Sequence, residues 1–184
     1  MEEQVIKIGD FSLKILKKVG YKIHVYTSAR FNYYHMDKSL FWENRILVAG
    51  FHEFGHDGTL QTYESDRQCI KKLQEDMELY RNEEGHLFLI FFNSTHFDYS
   101  WPQKDRSNFE PVDDGIDYLK IVFSQTNLKG IKNRYKHAIF YLDTLFKWFY
   151  DKLNSIQTGH EAITIVTGDD EPIHFDLPHI EQDV

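Results

Sequence analysis

A mostly parallel β-sheet sandwiched by helices is the fold class that the sequence predicts. Three observations carry that expectation. Helical and strand patterns alternate along the chain as helix, strand, helix, strand, helix, strand, the order of sheets covered on both faces. Two strand candidates, His86 to Phe92 and Ala162 to Thr167, are nearly continuous in apolar residues, as buried parallel strands are. Polar clusters then stand just after the strand candidates, where open sheets of this kind place their chemistry: Thr27-Ser28-Ala29-Arg30, Asn93-Ser94-Thr95-His96 and Gly168-Asp169-Asp170-Glu171.

Each element follows from its local pattern. Phe11 to Val19 carries apolar residues at 11, 13, 15, 16 and 19, close to helical spacing, and Gly20 stops it. Tyr21 to Ser28 is β-rich and alternating, a strand. Phe31 to Asp57 is aromatic and irregular, and is expected to be a long structured loop. Ser65 is placed to cap a helix running to about Asn82, with Cys69, Ile70, Leu73 and Met77 on one face. After the strand at His86 to Phe92 comes a loop over Asn93 to Pro111, then a short helix over Asp117 to Phe123. Lys132 to Leu153 gives the longest helix, its broad apolar face built from Tyr135, Ile139, Leu142, Leu145, Phe146, Phe149 and Leu153.

The 184 residues suffice for one domain with a real core. Aromatic residues make up 16% of the chain, which favours a packed interior over disorder. A net charge of −8 argues against a nucleic-acid-binding face. The single cysteine, Cys69, excludes an internal disulfide and a cysteine-based zinc site, and its place on the helix face makes it a packing residue. No apolar run reaches the roughly 20 residues that a membrane helix needs, and Met1 to Gln4 lacks signal-peptide character, so the chain is expected to be soluble.

Three clusters hold side chains able to do chemistry. Asp169, Asp170 and Glu171 offer hard oxygen ligands for a divalent cation; the alternative is a solvated acidic turn. His96 could donate to an anionic ester oxygen, or be an exposed loop histidine. His52-Glu53-Phe54-Gly55-His56 matches H-E-x-x-H, which on a helix sets two imidazoles on one face for zinc. The glycines at 50, 55 and 58 argue against that helix.

Four segments, in order, resemble bacterial sulfatase-like domains of the alkaline-phosphatase superfamily, among them those of inner-membrane proteins and the lipoteichoic-acid-synthase type. Gly20-Tyr21-Lys22 leads into a strand, followed by Phe31 to Phe41. Thr95-His96-Phe97-Asp98-Tyr99-Ser100-Trp101-Pro102 is similar to the element "T-H-x-x-Y-x-x-P". Arg134-Tyr135-Lys136-His137-Ala138 resembles "R-Y-x-N-A", and Thr167-Gly168-Asp169 resembles the start of "T-G-D-H-G". The resemblance implies a partial alkaline-phosphatase-like α/β domain over residues 1–171 and a divergent acidic tail over 172–184.

It also implies a metal-dependent hydrolase of sulfate or phosphate esters using Mn, Mg, Ca or Zn. His96 would bind the substrate, an anionic ester or lipid head group. Asp169 would be a metal ligand, with Asp170 standing where the family has His. The family's nucleophile and first acidic ligand lie upstream of the first helix, which only residues 1–10 precede here, and its downstream His ligand has no counterpart in spacing; His174 and His179 are the available imidazoles. The implied parent is a membrane-anchored protein of the bacterial periplasm or cell surface. The expectation is a fragment or divergent member, inactive as this chain alone. A non-catalytic envelope binding or sensor module and an H-E-x-x-H zinc protease are the alternatives.

Overall fold

The computed structural model describes residues 11–32, 48–55, 60–96, 99–104, 109–112, 125–156 and 162–168. Within them the element order is α1 (Phe11–Lys18), β1 (Lys22–Thr27), β2 (Val48–Glu53), α2 (Thr62–Leu79), β3 (His86–Phe91) and α3 (Gln125–Ser155). The three strands form one wholly parallel sheet in the order β2-β1-β3. The parallel sheet expected from the alternation is therefore present.

Helix α1 ends as its glycine requires. Gly20 adopts a φ of +100°, its N–H reaches the Lys17 carbonyl, and the Tyr21 N–H reaches that of Leu16 at 2.9 Å. This closure turns the chain directly into β1. As the central strand, β1 is buried at every position after Lys22. Its side chains alternate between two cores. Ile23 and Val25 join Leu13 of α1, Phe31, Phe51, Leu87 and Leu89 on one face. Tyr26 points to the other, joining Ile70, Leu73 and Met77 of α2 and Tyr141 and Leu145 of α3. Helix α3 is fixed to α2 by the Tyr141 hydroxyl, which donates to the Tyr63 carbonyl at 2.9 Å, and by Lys152, 2.6 Å from Glu78.

Several sequence expectations need correction. The stretch read as loop from Phe31 to Asp57 contains β2. Its Gly50 and His52 hide the strand signal, and pairing along β1 supplies what local propensity lacks. In a strand, His52 and Glu53 point to opposite faces, so the helical H-E-x-x-H site and the zinc protease built on it do not form; His56 lies outside the described residues. Helix α2 starts three residues before Ser65. Glu64 accepts from the Gln61 N–H at 3.1 Å, while Ser65 is buried inside the helix and donates to the Phe54 carbonyl at 3.4 Å. Helix α3 begins at Gln125, ahead of the expected Lys132. Residues 162–168 are neither strand nor buried: Ile163 and Ile165 are 89% and 84% exposed. Apolar pattern alone does not make a strand without a paired neighbour and a covering layer. The short helix expected at Asp117 to Phe123 lies outside the described residues.

Beneath α2, Asp76 accepts from two donors and lies close to a histidine. Tyr26 Oη lies 2.7 Å from Oδ2, Lys72 Nζ 2.6 Å from Oδ1, and His52 Nε2 3.5 Å from Oδ2. Burial pushes the Asp76 carboxyl up, but the bonds from Lys72 and Tyr26 and the nearby charges outweigh it and hold the group below the usual carboxylate range. A lowered folded-state pKa stabilises the fold above the unfolded-chain value, and that stability is lost as pH falls through the folded value. Asp76→Asn should cost about 2 kcal/mol at pH 7, a hydrogen-bonded charge discounted for the half-exposed Lys72. The deficit should begin to shrink in urea titrations as pH falls below the unfolded-chain value, about 3.9, and should vanish only below the lowered folded value, where Asp76 is neutral in both states.

Candidate active site at the carboxyl ends of the strands

All three strands end on the same edge of the sheet, and backbone bonds tie those ends together. Phe54 N–H donates to the Thr27 carbonyl at 2.9 Å, and Ser28 N–H to the Phe91 carbonyl at 3.1 Å. The chain after β2 runs very close to β1: a Cβ on Gly55 would stand 2.2 Å from the Ser28 carbonyl oxygen. Glu53 Oε2 accepts from the Phe31 N–H at 2.9 Å and so holds the loop after β1.

From β3 the chain enters the turn bearing His96. His96 N–H donates to the Asn93 carbonyl at 3.0 Å, Tyr99 N–H to the His96 carbonyl at 2.9 Å, and Ser100 N–H to the Ser94 carbonyl at 2.9 Å. What anchors this turn is Asp66. Its fully buried carboxylate accepts from Asn93 N–H on Oδ1 at 3.0 Å and from Ser94 N–H on Oδ2 at 3.1 Å. Burial pushes the Asp66 carboxyl above its ordinary range, against the pull of Ser28 and of those two N–H groups. From the same first turns of α2, the Tyr63 N–H donates to Ser100 Oγ at 3.2 Å.

The far side of the loop rests on α3. Arg134 donates to the Tyr99 carbonyl at 3.4 Å and lays its guanidinium 4.9 Å from the Trp101 ring centroid. Tyr135 meets Tyr99 edge-on, and His137 stacks on Trp101 at 4.9 Å while donating through Nε2 to the Phe109 carbonyl. The segments resembling "T-H-x-x-Y-x-x-P" and "R-Y-x-N-A" are thus packed on one another. His96 itself is exposed at the rim, its backbone held and its imidazole open to solvent.

Asp169 and Asp170 lie outside the described residues, and the segment leading to them is exposed. Among the described residues, no group of three His, Cys, Asp or Glu side chains converges to hold a metal ion. Of the carboxylates at this edge, Asp66 has both oxygens engaged by backbone N–H groups and Glu53 has its Oε2 engaged by one. The described residues therefore do not fit the divalent metal that the resemblance implies. Sequence reading missed Asp66, although its spacing shared the buried face of Cys69, Ile70 and Leu73. Cys69 is buried, with its thiol pushed up by burial, and is a packing residue as expected.

Neither a family model nor a curated protein matches the sequence. Solved structures do. The C-terminal periplasmic domain of EcEptC from Escherichia coli, determined in complex with Zn, aligns over 78% of this chain at 17% identity with a TM-score of 0.53. This chain carries part of the same α/β fold as that domain. A protein of the alkaline phosphatase superfamily from Vibrio parahaemolyticus aligns over 83% of the chain at 17% identity (TM-score 0.49, 35% of its own length). The lipoteichoic acid synthase LtaP from Listeria monocytogenes aligns over 77% at 16% identity (TM-score 0.48, 32% of its own length). The chain spans 38% of the length of the EcEptC domain. Among the described residues no helix is long and apolar enough to cross a membrane.

Proposed function

We propose that this chain forms the substrate-side portion of a sulfatase-like domain acting on sulfate or phosphate esters, with His96 as its contact to the anionic ester oxygen. The observation that carries this reading is the Asp66 clasp, which fixes the His96 turn at the carboxyl end of β3, where open α/β sheets bind their ligands. An exposed imidazole on a backbone-held turn is placed to donate to an ester oxygen. Asp169 and Asp170 are the proposed ligands of a divalent metal, and a lipid head group in the bacterial envelope is the proposed setting for the ester.

The isolated chain is proposed to bind without turning over. A nucleophile and its metal shell act as a unit, and losing several members removes nearly all activity. The Asp at position 170, where the resemblance expects His, favours the second reading of a binding module that keeps this edge without catalysis.

Phosphate or methyl phosphate should shift the His96 ring resonances in NMR, and His96→Ala should abolish saturable binding. Unchanged affinity in that variant would remove His96 from the site. With p-nitrophenyl phosphate or sulfate and Mn²⁺, the chain should give no turnover above the blank. Turnover that disappears in Asp169→Ala would show that the chain is an enzyme in its own right.

A further inference from the structure

Three histidines share one face of the sheet beneath α2, and two of them, His24 and His86, sit toward the end opposite His96. His24 of β1 is 3% exposed, the His86 side chain of β3 is 5% exposed, and the His52 side chain of β2 is 29% exposed. His24 Nε2 and His86 Nδ1 are 3.1 Å apart, with the rings stacked at 5.2 Å. Tyr80, at the end of α2, covers both: its ring lies 4.4 Å from His86 and 5.0 Å from His24. Phe88 closes the other side, 5.3 Å from His24. The cluster is not arranged to share a metal.

We infer that the His24–His86 pair is an acid-labile clasp, which holds the C-terminal end of α2 on the sheet at neutral pH and releases it on mild acidification. A 3.1 Å contact between two ring nitrogens needs one N–H donor and one bare acceptor. That is satisfied when the pair carries no extra proton or one, and fails when both rings are cations. Then two N–H groups face each other across a buried contact, and like charges at that distance repel strongly where water is excluded.

The surroundings set the potential at His24. Glu83 Oε2 lies 3.4 Å from His86 Nε2 and is itself paired with Lys22 at 2.6 Å. His24 faces the His86 ring, with His52 on β2 and Lys22 on its own strand adding positive potential; from α2, Asp76 opposes them, but its oxygens are engaged by Tyr26 and Lys72. Burial, followed by the charge of His86, holds His24 below the ordinary imidazole range. A His with a lowered folded-state pKa stabilises the fold above the unfolded-chain value, about 6.5, and loses that contribution as pH falls from there toward the folded value. No charged group of β3 beyond His86 faces the pair, since Phe88 occupies the next position on that face.

The test is amide hydrogen exchange on the native chain at pH 7.5 and 5.5, corrected for intrinsic rates. Amides in the last two turns of α2 should exchange about tenfold faster at pH 5.5, while those of α3 beyond Leu145 change less than about twofold. In His24→Phe, which keeps a ring in the stack, the α2 ratio should fall to within about twofold of unity. A wild-type ratio already that small, or a tenfold ratio that persists in His24→Phe, overturns the inference. Should that variant not fold, the wild-type ring resonances decide. Two coupled titrations, the second moving together with the Tyr80 and Asp76 amides, support the clasp. Independent titrations with α2 unmoved defeat it.

Discussion

Asp66→Ala should destabilise this protein by about 3 kcal/mol and release the His96 turn from the sheet. The carboxylate is wholly buried, and each oxygen accepts one backbone N–H, from Asn93 and from Ser94. Alanine leaves both donors in a space too enclosed for ready hydration, and a buried unsatisfied N–H costs about 1–3 kcal/mol. Urea unfolding measures the stability, and amide exchange at Asn93 and Ser94 measures the turn. Asp66→Asn keeps one acceptor oxygen and turns an NH₂ toward the second N–H, so it should recover less than half of the loss. An Asp66→Ala penalty under about 1 kcal/mol would mean that the turn holds itself without the clasp. Because the clasp carries the proposed site, the same variant should weaken phosphate binding even where it remains folded.

Much of this architecture was legible because pattern and environment agree. β1 alternates with β-branched and aromatic residues and β3 is nearly continuous in apolar ones, and both are parallel strands of the sheet. The α3 stripe from Tyr135 to Leu153 matches the face that packs on α2. β2 was not legible, since Val48-Ala49-Gly50-Phe51-His52-Glu53 carries a glycine and two ionisable residues in six. Only β1, reached through a long connection, makes a strand of it. The converse holds at residues 162–168, where a fine strand pattern has no neighbour to pair with among the described residues. Local pattern therefore proposes strands, and the sheet selects among them. Asp66 and Asp76 were hidden by the ordinary rule that helix carboxylates face water. Their positions told otherwise: 66, 69, 70, 73, 76 and 77 trace one helical face, and all six residues are buried. An acidic residue recurring in phase with an apolar stripe is a sign of a clasp.

Gly55→Ala should be the costliest substitution at a small residue, at about 3 kcal/mol or more, because the added methyl has nowhere to go. Its Cβ would stand 2.2 Å from the Ser28 carbonyl oxygen and 3.0 Å from the carbonyl carbon, and both atoms are backbone. Relief requires that the chain after β2 move away from the end of β1. That motion strains the Phe54 N–H bond to Thr27 and the Ser65 bond to the Phe54 carbonyl. Gly50→Ala is the informative contrast. There the added Cβ meets His24 Nδ1 at 2.9 Å, a side-chain atom and not backbone. It should cost about 1–2 kcal/mol, the usual range for overpacking. Thermal unfolding of the two variants side by side separates the accounts. The order Gly55 above Gly50 follows from backbone against side chain as the obstacle. The reverse order would place the rigid contact at the histidine stack and leave the strand ends free to part.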